Sequence, residues 1–74
     1  MKEGRLSYNQ ELGRYGLLVG DLWYHEGLHC GECLEVMLPD GTWAAARMEM
    51  DSGVWYLVGA PYMGDGLEYV RARL

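Results

Sequence analysis

Four residues of types that commonly bind metal ions lie within nine positions of one another: His25, His29, Cys30 and Cys33. Imidazole and thiolate groups are the ligands that Zn²⁺ takes in tetrahedral sites, and a Cys-x-x-Cys pair can supply half of such a site. Zinc sites ordinarily take their second pair of ligands from a separate hairpin or helix, and no such pair is present here. We therefore predict no metal and no cofactor, and we keep a small zinc-binding domain as the alternative function.

The same Cys-x-x-Cys pair could in principle carry out thiol redox chemistry. Reactive thiols occur where a helix N-terminus or a nearby cation lowers their pKa. The charged neighbours of Cys30 and Cys33 are instead acidic: Glu26, Glu32 and Glu35. We expect both cysteines to be free thiols without a redox role.

Other catalytic chemistry has few candidate residues. Lys2 is the only lysine, and two serines and two histidines are all that could form a nucleophile–base pair. Glu32 and Glu35 could act as an acid/base pair, but strand alternation would place them on different faces. No phosphate-binding glycine-lysine loop is present. The prediction is that the protein is not an enzyme.

The middle of the chain is acidic. Between positions 20 and 46 there is no lysine or arginine, and the acids are Asp21, Glu26, Glu32, Glu35 and Asp40. The whole chain has 6 Lys or Arg against 11 Asp or Glu, a formal net charge of -5. Binding of nucleic acids depends on clustered cations, so it is disfavoured and stays a second alternative that would use the terminal arginines. The favoured partner is a basic protein, and self-association stays open.

Exposed aromatic residues supply the anchor that a protein interface needs. Trp23 and Tyr24 fall in the acidic segment, and Trp43 is predicted to project from the wetter face of a strand. Guanidinium groups pair with carboxylates and stack on indole rings, so a basic segment fits such a surface. We predict one negative lip beside Trp43. Its candidate protein-binding residues are Trp23, Tyr24, Trp43, Glu26, Glu32 and Glu35.

The length and composition of the chain limit the scaffold that can position these residues. The 74 residues, of which 50% are hydrophobic, correspond to one small domain over residues 1–74. No apolar run approaches the roughly 18 residues of a membrane-spanning helix. The first residues do not resemble a signal peptide, so we expect a cytoplasmic protein with reduced thiols.

Strand patterns dominate the sequence. Short runs rich in Val, Leu, Tyr and Trp alternate with Gly and Asp. The predicted strands are residues 5–8, 15–19, 33–38, 42–49, 54–58 and 67–74. Residues 20–32 are predicted to be a long loop, and residues 54–58, apolar on both faces, a central strand. The fold class is therefore all-β, a small SH3-like antiparallel barrel of five to six strands.

Alternation within the two middle strands predicts the core. The residues predicted to face inward are Leu34, Val36, Leu38, Ala44, Ala46 and Met48. Glu35 lies between two of them and marks the opposite face as the wetter one, because an unpaired carboxylate is costly to bury. Pro39, Asp40 and Gly41 supply the turn that makes the two strands an antiparallel hairpin.

Several motifs together resemble a bacterial family of small domains of unknown function. They are GRLSY at residues 4–8, LHCGECLEV at 28–36, Trp43, RME at 47–49 and WYL at 55–57. The resemblance spans nearly the whole chain and departs at Met48, where the family usually has Ile. It implies a small β-barrel and no assigned activity. The aromatic opening motif and paired tryptophans of peptide-binding SH3 domains are absent, which argues against polyproline recognition.

Overall fold

The computed structural model describes every residue from Met1 to Leu74, and it consists of one antiparallel sheet of seven strands. The strands are β1 (Glu3–Asn9), β2 (Arg14–Val19), β3 (Leu22–His25), β4 (Cys33–Met37), β5 (Trp43–Asp51), β6 (Val54–Val58) and β7 (Arg71–Arg73). Their order across the sheet is β3-β2-β1-β7-β4-β5-β6. The predicted all-β class is confirmed.

The sheet does not close into a barrel. β3 and β6 lie at its two edges and each pairs with only one strand. The sheet has seven strands, where five to six were predicted. The prediction of a central strand at Val54–Val58 is also wrong, because β6 lies at an edge. Only Trp55 and Leu57 of β6 are buried, while Val54 and Val58 face solvent at the edge. Apolar residues on both faces thus mark a half-covered edge here and not a central strand.

β3 is the strand that the sequence pattern missed, because residues 20–32 were predicted to be one loop. Gly20, with a φ of +62°, and Asp21 form a two-residue turn between β2 and β3. Glycine with positive φ at the first turn position is typical of tight hairpins. Leu22, Trp23 and Tyr24 favour extended backbone, but they are apolar without alternation and so give no strand periodicity.

The predicted core is largely confirmed. Leu34, Val36, Ala46 and Met48 are buried, whereas Leu38 and Ala44 are only partly buried. The register pairs Leu34 with Ala46 and Val36 with Ala44, so the side chains of both strands meet on one face. The buried apolar cluster consists of Leu6, Tyr15, Leu17, Leu28, Leu34, Val36, Ala46, Met48, Trp55, Leu57, Leu67 and Ala72.

The last strand is shorter than the predicted 67–74. The segment before it forms a 3₁₀ turn over Gly64–Leu67, which buries Leu67 completely. Tyr69 then takes a left-handed φ of +68° and directs the chain into β7, between β1 and β4. No helix in the structure has the length and apolar character needed to cross a membrane.

Candidate functional site

β3 forms one edge of the sheet, called the β3 edge below, and exposes three consecutive large apolar side chains to solvent. Leu22 is 76% exposed, Trp23 37% and Tyr24 55%. β3 pairs only with β2, and no other backbone hydrogen bond joins Leu22–His25 to the rest of the chain. Alternate N–H and C=O groups of an edge strand point away from its neighbour, so this strand offers both backbone hydrogen bonds and apolar contacts.

A glycine in β2 allows β3 to lie close against the sheet. A Cβ on Gly16 would collide with the backbone oxygen of His25 and would lie 2.7 Å from that of Glu26. The register shifts between Leu17, opposite His25, and Leu18, opposite Trp23. Such an irregularity bends and twists a strand, and it is common at sheet edges. The close approach at Gly16 therefore fixes the position of β3.

Glu32 anchors the end of β3 to the loop that follows it. The Gly27 N–H donates to His25 Nδ1 at 3.2 Å, which leaves Nε2 to donate to Glu32 Oε1 at 3.1 Å. Glu32 Oε2 accepts the His29 N–H at 2.6 Å. Burial raises the pKa of Glu32, but the hydrogen bonds from His29 and His25 outweigh it and hold this pKa below its ordinary value. Glu32 is thus engaged within the chain.

The four candidate zinc ligands do not form a metal site in this structure. Cys30 and Cys33 are exposed free thiols, and Cys33 Sγ lies 3.9 Å from the Gly31 carbonyl oxygen. Both ring nitrogens of His25 already have hydrogen-bond partners. No group of three or more His, Cys, Asp or Glu side chains is arranged to hold a metal ion.

Trp43 and Glu35 both contact one arginine of the same chain. The guanidinium carbon of Arg73 lies 4.1 Å from the centre of the Trp43 ring, and Arg73 Nε donates to Glu35 Oε1 at 2.6 Å. This is the combination of indole, carboxylate and guanidinium that the sequence suggested for a basic partner. β7 supplies the guanidinium internally, since its Arg73 lies beside Glu35 of β4.

The acidic residues do not line one lip beside Trp43, so that prediction is wrong. Trp43 pairs with Met37 at one end of the β4–β5 hairpin, whereas Glu32 lies just before Cys33 at the other end. Asp40 is close in sequence to Trp43 but accepts hydrogen bonds from the Thr42 hydroxyl and N–H at 2.7 and 3.0 Å, which lower its pKa.

Two acids of the middle segment have neither an ion pair nor a side-chain hydrogen bond, and both flank β3. Asp21 lies in the turn before β3 and Glu26 directly follows it, and both are exposed. Neither takes part in any of the ion pairs of the structure. The β3 edge thus brings together Trp23, Tyr24 and Glu26 of the predicted binding residues. It adds two residues that sequence reasoning left out of the site. Leu22 could have been found as an apolar residue beside two aromatic residues, and Asp21 as an acid in a turn with glycine.

Comparison with known proteins agrees with this fold. Residues 4–74 match the model of the family described as Domain of unknown function (DUF5348). A crystal structure of a protein from Ruminococcus gnavus superposes with a TM-score of 0.82 at 40% sequence identity, over 99% of this chain and 100% of that one. No curated protein matches the chain. The match over nearly its whole length shows that this chain belongs to the DUF5348 family.

Proposed function

We propose that the protein is a non-enzymatic module that binds an extended basic segment of another protein along the β3 edge. The segment adds to the sheet as a further antiparallel or parallel strand beside β3. Backbone hydrogen bonds then supply affinity, and the side chains of Leu22, Trp23 and Tyr24 supply the apolar contacts. The proposal places the module in the cytoplasm, where Cys30 and Cys33 stay reduced.

The observation that carries this proposal is the unpaired, apolar β3 edge. An open edge invites pairing with another chain, and natural proteins blunt many edge strands with charges, proline, bulges, short length or a covering segment. β3 is short and pairs with β2 through a register shift, but it has no covering segment, proline or carboxylate within it. The exposed residues of β3 itself are apolar, with acids only beyond its ends. A row of large exposed aromatic and aliphatic side chains is typical of a binding surface, whereas single exposed apolar residues are common on any protein surface.

Charge complementarity favours a basic partner over a second copy of the chain. In a symmetric antiparallel pairing of two β3 strands, Asp21 of one copy would lie one position from the residue opposite Glu26 of the other, so two carboxylates would come close at each end of the pair. Carboxylates at this separation repel each other. A segment with Lys or Arg at its ends would instead meet both acids with opposite charge, and the net charge of -5 favours the same encounter.

The proposal is tested with two synthetic heptapeptides, one alternating lysine with valine and one alternating glutamate with valine. Binding is measured by isothermal titration and by amide chemical shifts. We expect the basic peptide to bind at least tenfold more tightly than the acidic one, with shifts concentrated in residues 21–26. The affinity should fall as salt is raised, because exposed charges are screened.

Matched variants separate the β3 edge from charge alone. The double variant Leu22→Lys/Tyr24→Lys and its control Val58→Lys/Met63→Lys add the same charge at exposed positions of the two sheet edges. We expect the β3 variant to lose at least tenfold more affinity than the control. Equal losses, equal binding of both peptides, or shifts centred on β6 would each overturn the proposal. Concentration-dependent dimers that the β3 variant abolishes would instead identify a second copy as the occupant.

A further inference from the structure

The structure contains a cleft of about 750 Å³ on a surface separate from the β3 edge. It lies between the turn joining β1 to β2, the turn joining β5 to β6, and the 3₁₀ turn Gly64–Leu67. Clefts of roughly 300–1,000 Å³ are typical of small-molecule sites. The lining includes three aromatic residues, a methionine and two acids: Tyr8, Tyr15, Trp55, Met50, Asp65 and Glu68.

The aromatic walls of the cleft are held in place before any ligand arrives. The rings of Tyr8 and Tyr15 meet edge to face, with centroids 5.2 Å apart. The Tyr15 hydroxyl donates to the Gly64 carbonyl oxygen at 3.1 Å, and Trp55 Nε1–H donates to the Gly13 carbonyl oxygen at 2.9 Å. The rings of Tyr15 and Trp55 are therefore each tied to one of the turns that frame the cleft, and the Tyr8 ring packs against that of Tyr15.

The charge of the cleft is negative. Glu68 is fixed, since Oε2 accepts the Ser7 hydroxyl and Oε1 accepts the Tyr8 N–H, both at 2.8 Å. Asp65 forms no ion pair, and no basic residue lines the cleft. Burial raises the pKa of Tyr15, and the charges of Glu68 and Asp65 raise it further. The field of both carboxylates thus reaches the aromatic wall.

One arginine borders the cleft without lining it. The guanidinium carbon of Arg14 lies 5.7 Å from the centre of the Trp55 ring. This contact shows that the indole already attracts a cation outside the cleft. The rings of Tyr8 and Tyr15 have no cation against them in the structure.

We propose that this cleft binds an organic cation, an ammonium or guanidinium head carried on an apolar body. The head would lie against the ring of Tyr8 with Asp65 and Glu68 as counter-charges, and the body would contact Met50 and Trp55. Aromatic faces beside carboxylates are the arrangement that recognises such cations. The proposal goes beyond the binding of an extended segment, because none of these residues lies on β3.

The direct test compares choline with 3,3-dimethylbutan-1-ol, a neutral molecule of the same shape. Binding is followed by the Trp55 indole N–H and the Tyr8 ring resonances. We expect choline to bind at least tenfold more tightly than the alcohol and to weaken as sodium chloride is raised. Measurable binding of both with equal affinity, or shifts outside the cleft, would overturn the proposal.

A second pair of probes distinguishes a free small molecule from a protein side chain. N-acetyl-arginine amide presents a guanidinium as a partner protein would, and choline presents an ammonium as a metabolite would. Binding of either one with the expected charge dependence supports an organic-cation site and identifies its source. Binding of neither at millimolar concentrations would contradict it.

Variants assign the effect to the cleft. Tyr8→Leu removes an exposed aromatic wall, and Asp65→Asn removes one charge; Asp21→Asn makes the same charge change in the β2–β3 turn. We expect the first two to weaken the tighter-binding cation at least fivefold, and Asp21→Asn to change it less than twofold. Equal effects of Asp65→Asn and Asp21→Asn would overturn the assignment. The shifts that the lysine–valine peptide causes in residues 21–26 should stay unchanged in Tyr8→Leu, which separates this site from the β3 edge.

Discussion

The two edge strands of the sheet differ in what the rest of the chain does with them. Beyond β6 the chain turns back, so that the Leu57 N–H donates to the Tyr62 carbonyl oxygen at 3.1 Å and Tyr56 bridges to Met63. The Tyr62 hydroxyl then donates to the Met37 carbonyl oxygen at 2.6 Å and fastens this cover to β4. No segment returns across β3 in this way.

The β6 edge is protected by the chain itself, whereas the β3 edge is available as a binding surface. An uncovered edge is an aggregation hazard unless something limits its pairing. At β6 the limit is the covering segment 59–63, whereas at β3 it is the short, bulged strand together with the charges of Asp21 and Glu26 at its ends. The β3 edge therefore stays open to a partner of opposite charge.

Removing β3 from the sheet should have the largest effect. Gly16→Ala places a Cβ against the backbone oxygens of His25 and Glu26, which cannot move without shifting the strand. We expect a loss of about 3 kcal/mol in the free energy of unfolding, measured by urea denaturation. Gly66→Ala is the control, since its Cβ would meet nothing within 4 Å, and it should change stability by less than about 0.5 kcal/mol. Similar losses in both variants would show that β3 is not held by this close approach.

Trp43 should matter for stability and not for binding at β3. Trp43→Ala removes the ring that lies against the Arg73 guanidinium, and we expect a loss of about 2 kcal/mol. The double-mutant cycle with Arg73→Ala should give a coupling energy of about 0.5–1 kcal/mol. The affinity for the lysine–valine peptide should stay unchanged. A tenfold loss of that affinity in a folded variant would place the interface at Trp43.

Loosening the cover of β6 should make the two edges more alike. Tyr62→Phe removes the hydroxyl that donates to Met37 and should cost about 1 kcal/mol. Hydrogen exchange of the Leu57 amide should accelerate, because its acceptor is the Tyr62 carbonyl oxygen. Tyr24→Phe, at an exposed position on β3, is the control and should leave both quantities unchanged. An unaltered Leu57 exchange rate would mean that the hydroxyl does not hold the cover.

The smallest effect concerns the acid sensitivity of the loop after β3. The pKa of Glu32 is lower in the folded chain than the ordinary glutamate value of about 4.3. The contribution of Glu32 to the free energy of unfolding is therefore fully present above that ordinary value, and it is lost as the pH falls through the lower folded pKa. The amide shift of His29, whose N–H binds Glu32, should report a midpoint below the ordinary value. In Glu32→Gln this pH dependence should vanish. A midpoint at or above the ordinary value would contradict the anchoring role of Glu32.

The β4–β5 hairpin was predictable because two independent signals agreed. Alternation placed Leu34, Val36 and Met48 inside, and the turn after Leu38 fixed the pairing. β3 could not be predicted, because its three exposed apolar residues show no alternation and its close packing depends on Gly16 in another strand. Whether a strand lies at the edge or in the centre likewise depends on the whole sheet, so the apolar pattern of Val54–Val58 could not predict its position.

The sequence indicated which residue types could form a binding site, but not which of these residues contact one another in the folded chain. Trp23 and Tyr24 are exposed, as expected from the sequence, but nothing local indicated that Arg73 would contact Trp43 and Glu35. That contact requires β7 to lie beside β4, a pairing between residues far apart in the chain. The cleft is likewise lined by residues of β1, β2, β5, β6 and the 3₁₀ turn, which only the folded chain brings together.

The most direct test of the central claim is amide hydrogen exchange with and without the lysine–valine peptide. If the peptide adds as a strand, the amides of Leu22–His25 that point away from β2 gain hydrogen-bond partners. Their exchange should slow at least tenfold at saturating peptide, while exchange in Val54–Val58 stays unchanged. Slowing confined to β6, or equal slowing at both edges, would contradict the account.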